Sequence, residues 1–216
     1  MDRRARGPYP ARMIGGSRRR LVVGISGATG VLYGVRALEL ARAAGVETHL
    51  VVTQAGALTA SQETDLRAGD LAALADVTHK VTNVGASIAS GSFPTDGMLI
   101  APCSSRTLAA IANGLSDNLL TRAAEVTLKE RRRLVVLFRE TPLTLAHLRA
   151  MEAVTQMGGV VMPPVPAWYL RPQSVEEVVD QAAGRALELL GVPVLELPRW
   201  NGLERRPAAV AEEGPA

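Results

Sequence analysis

The chain has 216 residues, 24 of them basic and 21 acidic, with 47% apolar and 3% aromatic content and a single cysteine. This is enough for one α/β domain with a sizeable core, and no apolar run nears the roughly 20 residues that cross a bilayer. Cys103 alone excludes an intrachain disulfide framework and a Cys-rich zinc site, and fits a reducing compartment, the cytoplasm.

The formal charge of +3 comes from the amino end: the first twenty residues hold seven arginines against Asp2, so the remainder carries −3. A nucleic-acid-binding fold needs a basic stripe on the fold itself, and so few aromatics do not make a base-stacking surface. Residues 1–19 read as a disordered basic extension, 20–192 as one folded domain, and 193–216 as a tail partly ordered around Trp200.

In chain order, residues 20–25 (RLVVGI) form a first buried strand. The turn Ser26-Gly27-Ala28-Thr29-Gly30 leads into a helix from Val31 that Gly45 closes. Such a turn lets a ligand approach the backbone, and the helix start favours an anion. Its G-x-x-G spacing is not the dinucleotide fingerprint, and it reads equally as a tight structural turn. Residues 47–53 form a second strand ending at Thr53. Short helices follow at 55–60 and 66–74, then a strand at 81–84 and the small polar loop SIASGS at 87–92. The strand 97–101 runs into Pro102-Cys103-Ser104-Ser105-Arg106-Thr107, a hydroxyl-rich helix start that is either an anion cradle or simple N-capping.

Thr121–Glu140 reads as an amphipathic helix turning directly into a buried strand at 134–138. Arg122 and Lys129 lie near one helix face, and Arg139 and Glu140 stand just past the strand. The stretch fits an anion-binding wall and equally a solvated helix face followed by a loop. A helix over 142–157 starts near Pro142. A short strand at 160–162 precedes the stiff loop 163–169, and Ser174 caps a last helix with Glu177 in the capping-box position. Alternation of strands and helices predicts a three-layer αβα fold with a mostly parallel, doubly wound sheet. The turns after the strands then converge on one rim, where ligands bind.

No HxxxH or HxH spacing, GxSxG elbow or GxxxxGK[ST] loop occurs, which leaves no metal site, serine-hydrolase triad or P-loop to defend. Cys103 reads as a small buried hydrophobe, and His49 and His79 as structural or exposed. Lys129 is one of two lysines among twenty-two arginines.

GISGATG, QETD at 62–65, SIASGS, PCS at 102–104, TRAAEVTLKERRRLVV with RETP, and MPPVPAWY followed by PQSVEEVVD together resemble the UbiX-type flavin prenyltransferases. The similarity spans residues 20–200. It implies a Rossmann- or flavodoxin-like sheet, FMN as reduced substrate, and a homododecamer with sites between subunits. It also implies metal-free transfer of the dimethylallyl group of dimethylallyl monophosphate to N5 and then C6. The product, prenylated FMN, serves UbiD-type decarboxylases, including those of ubiquinone synthesis.

By position, the resemblance assigns FMN contacts to Gly27, Ala28, Thr29, Thr53, Ser104, Ser105, Arg106, Thr107 and Arg139. It assigns the prenyl phosphate to Lys129, Arg139, Glu140, Tyr169 and Arg185, and catalysis to Lys129, Glu140, Glu63 and Thr29. Ser90, Arg122 and Trp200 line the same site, and Thr121–Glu140 becomes one wall of it. Arg131, Arg132 and Arg133 drop out as a solvated helix end. Thr29 and Thr53 stand where serine is usual, and Trp168 where phenylalanine is usual. Two alternatives remain open: an FMN-dependent cysteine-type decarboxylase and a non-catalytic FMN-binding partner of a decarboxylase. The first resembles a pattern with a catalytic His and a Pro-x-Met-Asn motif; the chain has no Met-Asn dipeptide, and none of its three histidines lies in such a setting.

Overall fold

The protein is described here by a computed structural model covering residues 18–194, 197–199 and 202. Strands β1 (Arg20–Ile25), β2 (Glu47–Val52), β3 (Val77–His79), β4 (Gly97–Cys103), β5 (Arg133–Phe138) and β6 (Val160–Val161) pair in parallel throughout, in the order β3-β2-β1-β4-β5-β6. This is the Rossmann order, whose direction reverses between β1 and β4. The expectation of a mostly parallel doubly wound sheet is met.

Period-two alternation divides each central strand between two cores. Leu99, Ala101, Val135 and Leu137 face helices α1 (Val31–Ala43) and α7 (Val175–Leu189). Met98, Ile100, Leu134, Val136 and Phe138 face α4 (Ser105–Ala112), α5 (Leu119–Lys129) and α6 (Leu145–Gln156). Helices α2 (Gln54–Glu63) and α3 (Ala68–Ala73) extend the α1 side through Ala60 and Leu71. Each apolar stripe is thereby covered, as a parallel sheet requires.

Several boundaries differ from expectation. The third strand is Val77–His79 rather than 81–84; residues 81–84 turn, with the Asn83 amide donating to the Lys80 carbonyl at 2.9 Å. An edge strand this short and half-exposed carries little apolar signal. Helix α6 starts at Leu145, not Pro142, because the Thr144 hydroxyl accepts the His147 amide at 3.4 Å and fixes the N-cap. The last helix is as expected, with Ser174 accepting from the Glu177 amide at 3.2 Å.

Arg18 and Arg19, assigned to the extension, are fastened to the domain. Arg18 donates to the Gly45 and Val46 carbonyls at 2.8 and 3.0 Å and pairs with Asp76 at 2.8 Å. Arg19 donates to the carbonyls of Leu190 and Gly191. Arg133 donates to the Leu189 carbonyl at 2.8 Å, so two guanidinium groups complement the negative end of α7. Arg132 holds the loop before β4. Arg132 is half-buried rather than solvated, because it reaches backbone carbonyls that helix periodicity does not reveal; Arg131 and Arg133 are exposed as expected.

Candidate functional site

The switch point between β1 and β4 builds a rim from one chain. Ser26 is buried, and its hydroxyl donates to the Pro102 carbonyl at 3.0 Å while accepting the Ser104 amide at 2.8 Å. One side chain therefore sets the separation of the two turns. Ser104 caps α4, accepting the Thr107 amide at 3.3 Å and donating to the Thr107 hydroxyl at 3.1 Å. Thr107 is buried. The Ser104 hydroxyl is thus spent on the turn, while the Thr107 hydroxyl accepts there and keeps its proton; the Ser105 hydroxyl, the first-turn amides and the exposed Arg106 stand on the same rim. Arg106 pairs with Asp117.

Thr53 caps α2 in the same way, accepting the Gly56 amide at 3.0 Å and keeping its proton to donate. Gly30 takes φ +96°, a conformation that favours glycine, and turns the chain from the 27–29 segment into α1. Glu63 reaches that helix from the end of α2. Its carboxylate accepts the Gly30 amide at 2.8 Å and the Val31 amide at 3.0 Å. The protein thus supplies its own anion at the start of α1, and the open helix start at the switch point is that of α4.

Arg139 follows β5 on the same rim, its amide donating to the Cys103 carbonyl at 3.1 Å. Its side chain is exposed and that of Glu140 half-buried. Tyr33, one turn into α1, completes this corner, and the sequence did not single it out. Burial pushes the Tyr33 phenol up, and the nearby Arg139 guanidinium partly offsets that. Its position one helical turn beyond the 27–30 segment was the available signal. Cys103 is buried as expected, and burial pushes its thiol up.

A second region lies along α5. The loop after β3 descends beside this helix and carries a short 3₁₀ turn at Ser87–Ala89. Arg122 donates to the Ala89 carbonyl at 3.2 Å and pairs with Glu125 at 2.9 Å. Ser90 and Ser92 share a 2.9 Å hydrogen bond. Lys129 pairs with Glu130, and both side chains pack against Gly91, where a Cβ would lie 2.8 Å from the Lys129 ammonium. Lys129, Arg122 and Ser90 are thus brought together.

They are not brought to Arg139 and Glu140. Helix α5 runs antiparallel to β5, so Lys129 ends near the strand's amino end, while Arg139 leaves its carboxyl end. The six residues of β5 separate the two ends by about 17 Å. Within one chain, Thr121–Glu140 is not a single wall. Arg185 stands apart again, on α7 across the sheet, paired with Glu188 at 3.1 Å. Tyr169 lies in the 3₁₀ turn Trp168–Leu170, half its surface exposed, beyond the carboxyl end of β6. Trp200 lies outside the described residues. Among the described residues, no three His, Cys, Asp or Glu side chains cluster as metal ligands, and no helix is long and apolar enough to cross a membrane.

A Rossmann-ordered sheet with a hydroxyl-lined helix start at its switch point defines a nucleotide- or flavin-binding α/β protein. Comparison narrows that class. The Flavoprotein family profile matches residues 15–187. A flavin prenyltransferase UbiX of Neisseria meningitidis serogroup B is 56% identical over 185 residues, covering 86% of this chain and 98% of that protein. The solved structure of AnUbiX (PadA1) in complex with FMN and dimethylallyl pyrophosphate is 47% identical. It superposes with a TM-score of 0.85 over 87% of this chain and all of that one. A dodecameric FMN-dependent UbiX-like decarboxylase from Escherichia coli O157:H7 is 44% identical, with a TM-score of 0.82 over 85% of this chain and all of its own. The chain belongs to the flavoprotein family, in its flavin prenyltransferase (UbiX) branch.

Proposed function

We infer that this chain is a flavin prenyltransferase. It transfers the dimethylallyl group of dimethylallyl monophosphate to N5 and then C6 of reduced FMN, without a metal. The observation that carries this is the rim at the β1–β4 switch point, with its α4 helix start, Thr53 and Ser105 hydroxyls, and Arg106 and Arg139. That donor set suits a flavin phosphate.

The reduced flavin supplies the nucleophile. The residues assigned to the prenyl phosphate are cationic or hydrogen-bonding: Lys129, Arg139, Tyr169 and Arg185, with Glu140 orienting the arginines or relaying a proton. An allylic phosphate departs as an anion, and fixed cations in a water-poor site stabilise that departure. Glu63 and Thr29 belong to the flavin side; Glu63 acts at least through the amides of Gly30 and Val31.

Because Lys129 and Arg139 sit at opposite ends of β5, the site we propose combines the rim of one protomer with the α5 region of another, in a homododecamer. The FMN- and dimethylallyl-pyrophosphate-bound relative and the dodecameric relative support this reading. Release of prenylated FMN to a UbiD-type decarboxylase in the cytoplasm completes the proposal.

The test is anaerobic incubation with reduced FMN and dimethylallyl monophosphate, followed by mass measurement of the flavin. Gain of one C5 unit is expected, and the diphosphate run in parallel ranks the two donors. Unchanged flavin from FMN-loaded protein would contradict the assignment.

A further inference from the structure

Arg132 follows helix α5 by three residues, and its guanidinium reaches back over the loop that precedes β4. It donates to the Gly91 carbonyl at 2.7 Å, the Phe93 carbonyl at 2.9 Å and the Thr95 hydroxyl at 3.2 Å. A planar fork can hold three such acceptors at once; a lysine ammonium cannot match their spread. The loop is also held from its other side. The Phe93 ring lies 4.6 Å from the Arg20 guanidinium, and His49 meets its edge at 5.2 Å between centroids. Phe93 therefore fixes one end of the segment, and Arg122, through the Ala89 carbonyl, the other.

The middle of this segment is Ser90-Gly91-Ser92, against which Lys129 packs. A Cβ at Gly91 would meet the tips of the Lys129 and Glu130 side chains, so both lie directly on the loop. The loop surface thus sets how far the Lys129 ammonium can move toward its own chain.

We propose that Arg132 is a positioning residue of the transfer reaction: it fixes the 89–95 loop as the seat of Lys129 and Ser90. Its effect on chemistry passes through Lys129, so the proposal rests on the role given to Lys129 above. Displacing that cation by an ångström or so costs transition-state contact without touching the flavin-binding rim.

The test is a double-mutant cycle read by single-turnover prenyl transfer in the assembled protein, with FMN affinity and thermal midpoint measured alongside. Arg132→Lys should slow transfer about tenfold while FMN affinity stays at its wild-type value and the thermal midpoint falls by only a few degrees. In a Lys129→Ala background the same change should cost less than about twofold, because the cation it positions is gone. Thr95→Val, which removes one of the three acceptors and little volume, should slow transfer about two- to threefold and serves if Arg132→Lys folds poorly. Wild-type transfer by both Arg132→Lys and Thr95→Val, with Lys129→Ala slow, would overturn the proposal alone. Losses that multiply across the cycle would make Arg132 merely structural and also overturn it. Wild-type transfer by Lys129→Ala would sink the reading beneath the proposal, and the proposal with it.

Discussion

The rim at the β1–β4 switch point and the α5 region hold their functional groups by different means. The rim is made of backbone turns, helix starts and short hydroxyl side chains, tied by buried Ser26. These groups are brought together within one chain by the fold's topology. The α5 region is made of long cationic side chains, Arg122, Lys129 and Arg132, closed over a loop of small residues. An open groove of about 250 Å³ runs beside this helix, lined among others by Leu115, Glu125, Leu128, Lys129 and Met157, and β5 holds the region away from the rim. A rigid rim suits a large planar flavin bound by its phosphate and edges. On the proposed reading, a cationic arm suits a leaving phosphate brought to it by the rim of a second protomer.

Lys129→Ala should break the α5 side selectively. Transfer should fall by about 10²–10³-fold, the cost typical of losing one donor to a developing anion, while FMN still binds. Single-turnover kinetics and flavin fluorescence separate the two effects, and loss of FMN binding would mean the regions are not independent.

Ser26→Ala should break the rim. It leaves the Ser104 amide without its buried acceptor, a loss of about 1–3 kcal/mol. Urea denaturation should show it, and FMN affinity should fall with it.

Glu63→Ala sharpens the contrast at the other rim turn. It strips the α1 amides of their acceptor and should cost about 1 kcal/mol, as other helix caps do. Stability equal to wild type would show that the contact contributes nothing.

The smallest effect expected is on pH dependence beneath the loop. Burial holds the His79 imidazole below the usual histidine range, and His49 beside it adds to this. The unfolded chain therefore binds that proton more tightly. The resulting stability is complete above the ordinary value of 6.5 and is lost as pH falls through the folded value. Thermal midpoints should decline as pH drops below about 6.5, and His79→Asn should flatten that decline; an unchanged slope would contradict the assignment.

The sequence carried the rim well. Strand β1, the Ser26–Gly30 turn, the Ser104 cap and the place of Arg139 all follow from short, continuously apolar runs that stop at small, hydroxyl or charged residues. It carried the α5 region poorly. Thr121–Glu140 looks contiguous as letters, and only the antiparallel course of α5 against β5 shows that its two charged ends lie far apart. Arg132 was passed over because its partners are carbonyls some forty residues earlier, which no local pattern exposes. Glu63 was assigned through family resemblance, but its bonds to Gly30 and Val31 depend on how α2 folds back on α1. Tyr33 was missed because its neighbour Arg139 is distant in the chain.

The central claim is that a working site joins the rim of one protomer to the α5 region of another. It is tested most directly by co-expressing Lys129→Ala chains with Glu140→Ala chains, each inactive alone, and assaying prenyl transfer by the purified mixed oligomer. Random assembly from equal amounts should restore about a quarter of the wild-type sites, those drawing intact halves from two different chains. Mixed oligomers as inactive as either parent would place both residues in a site built from one chain and contradict the account.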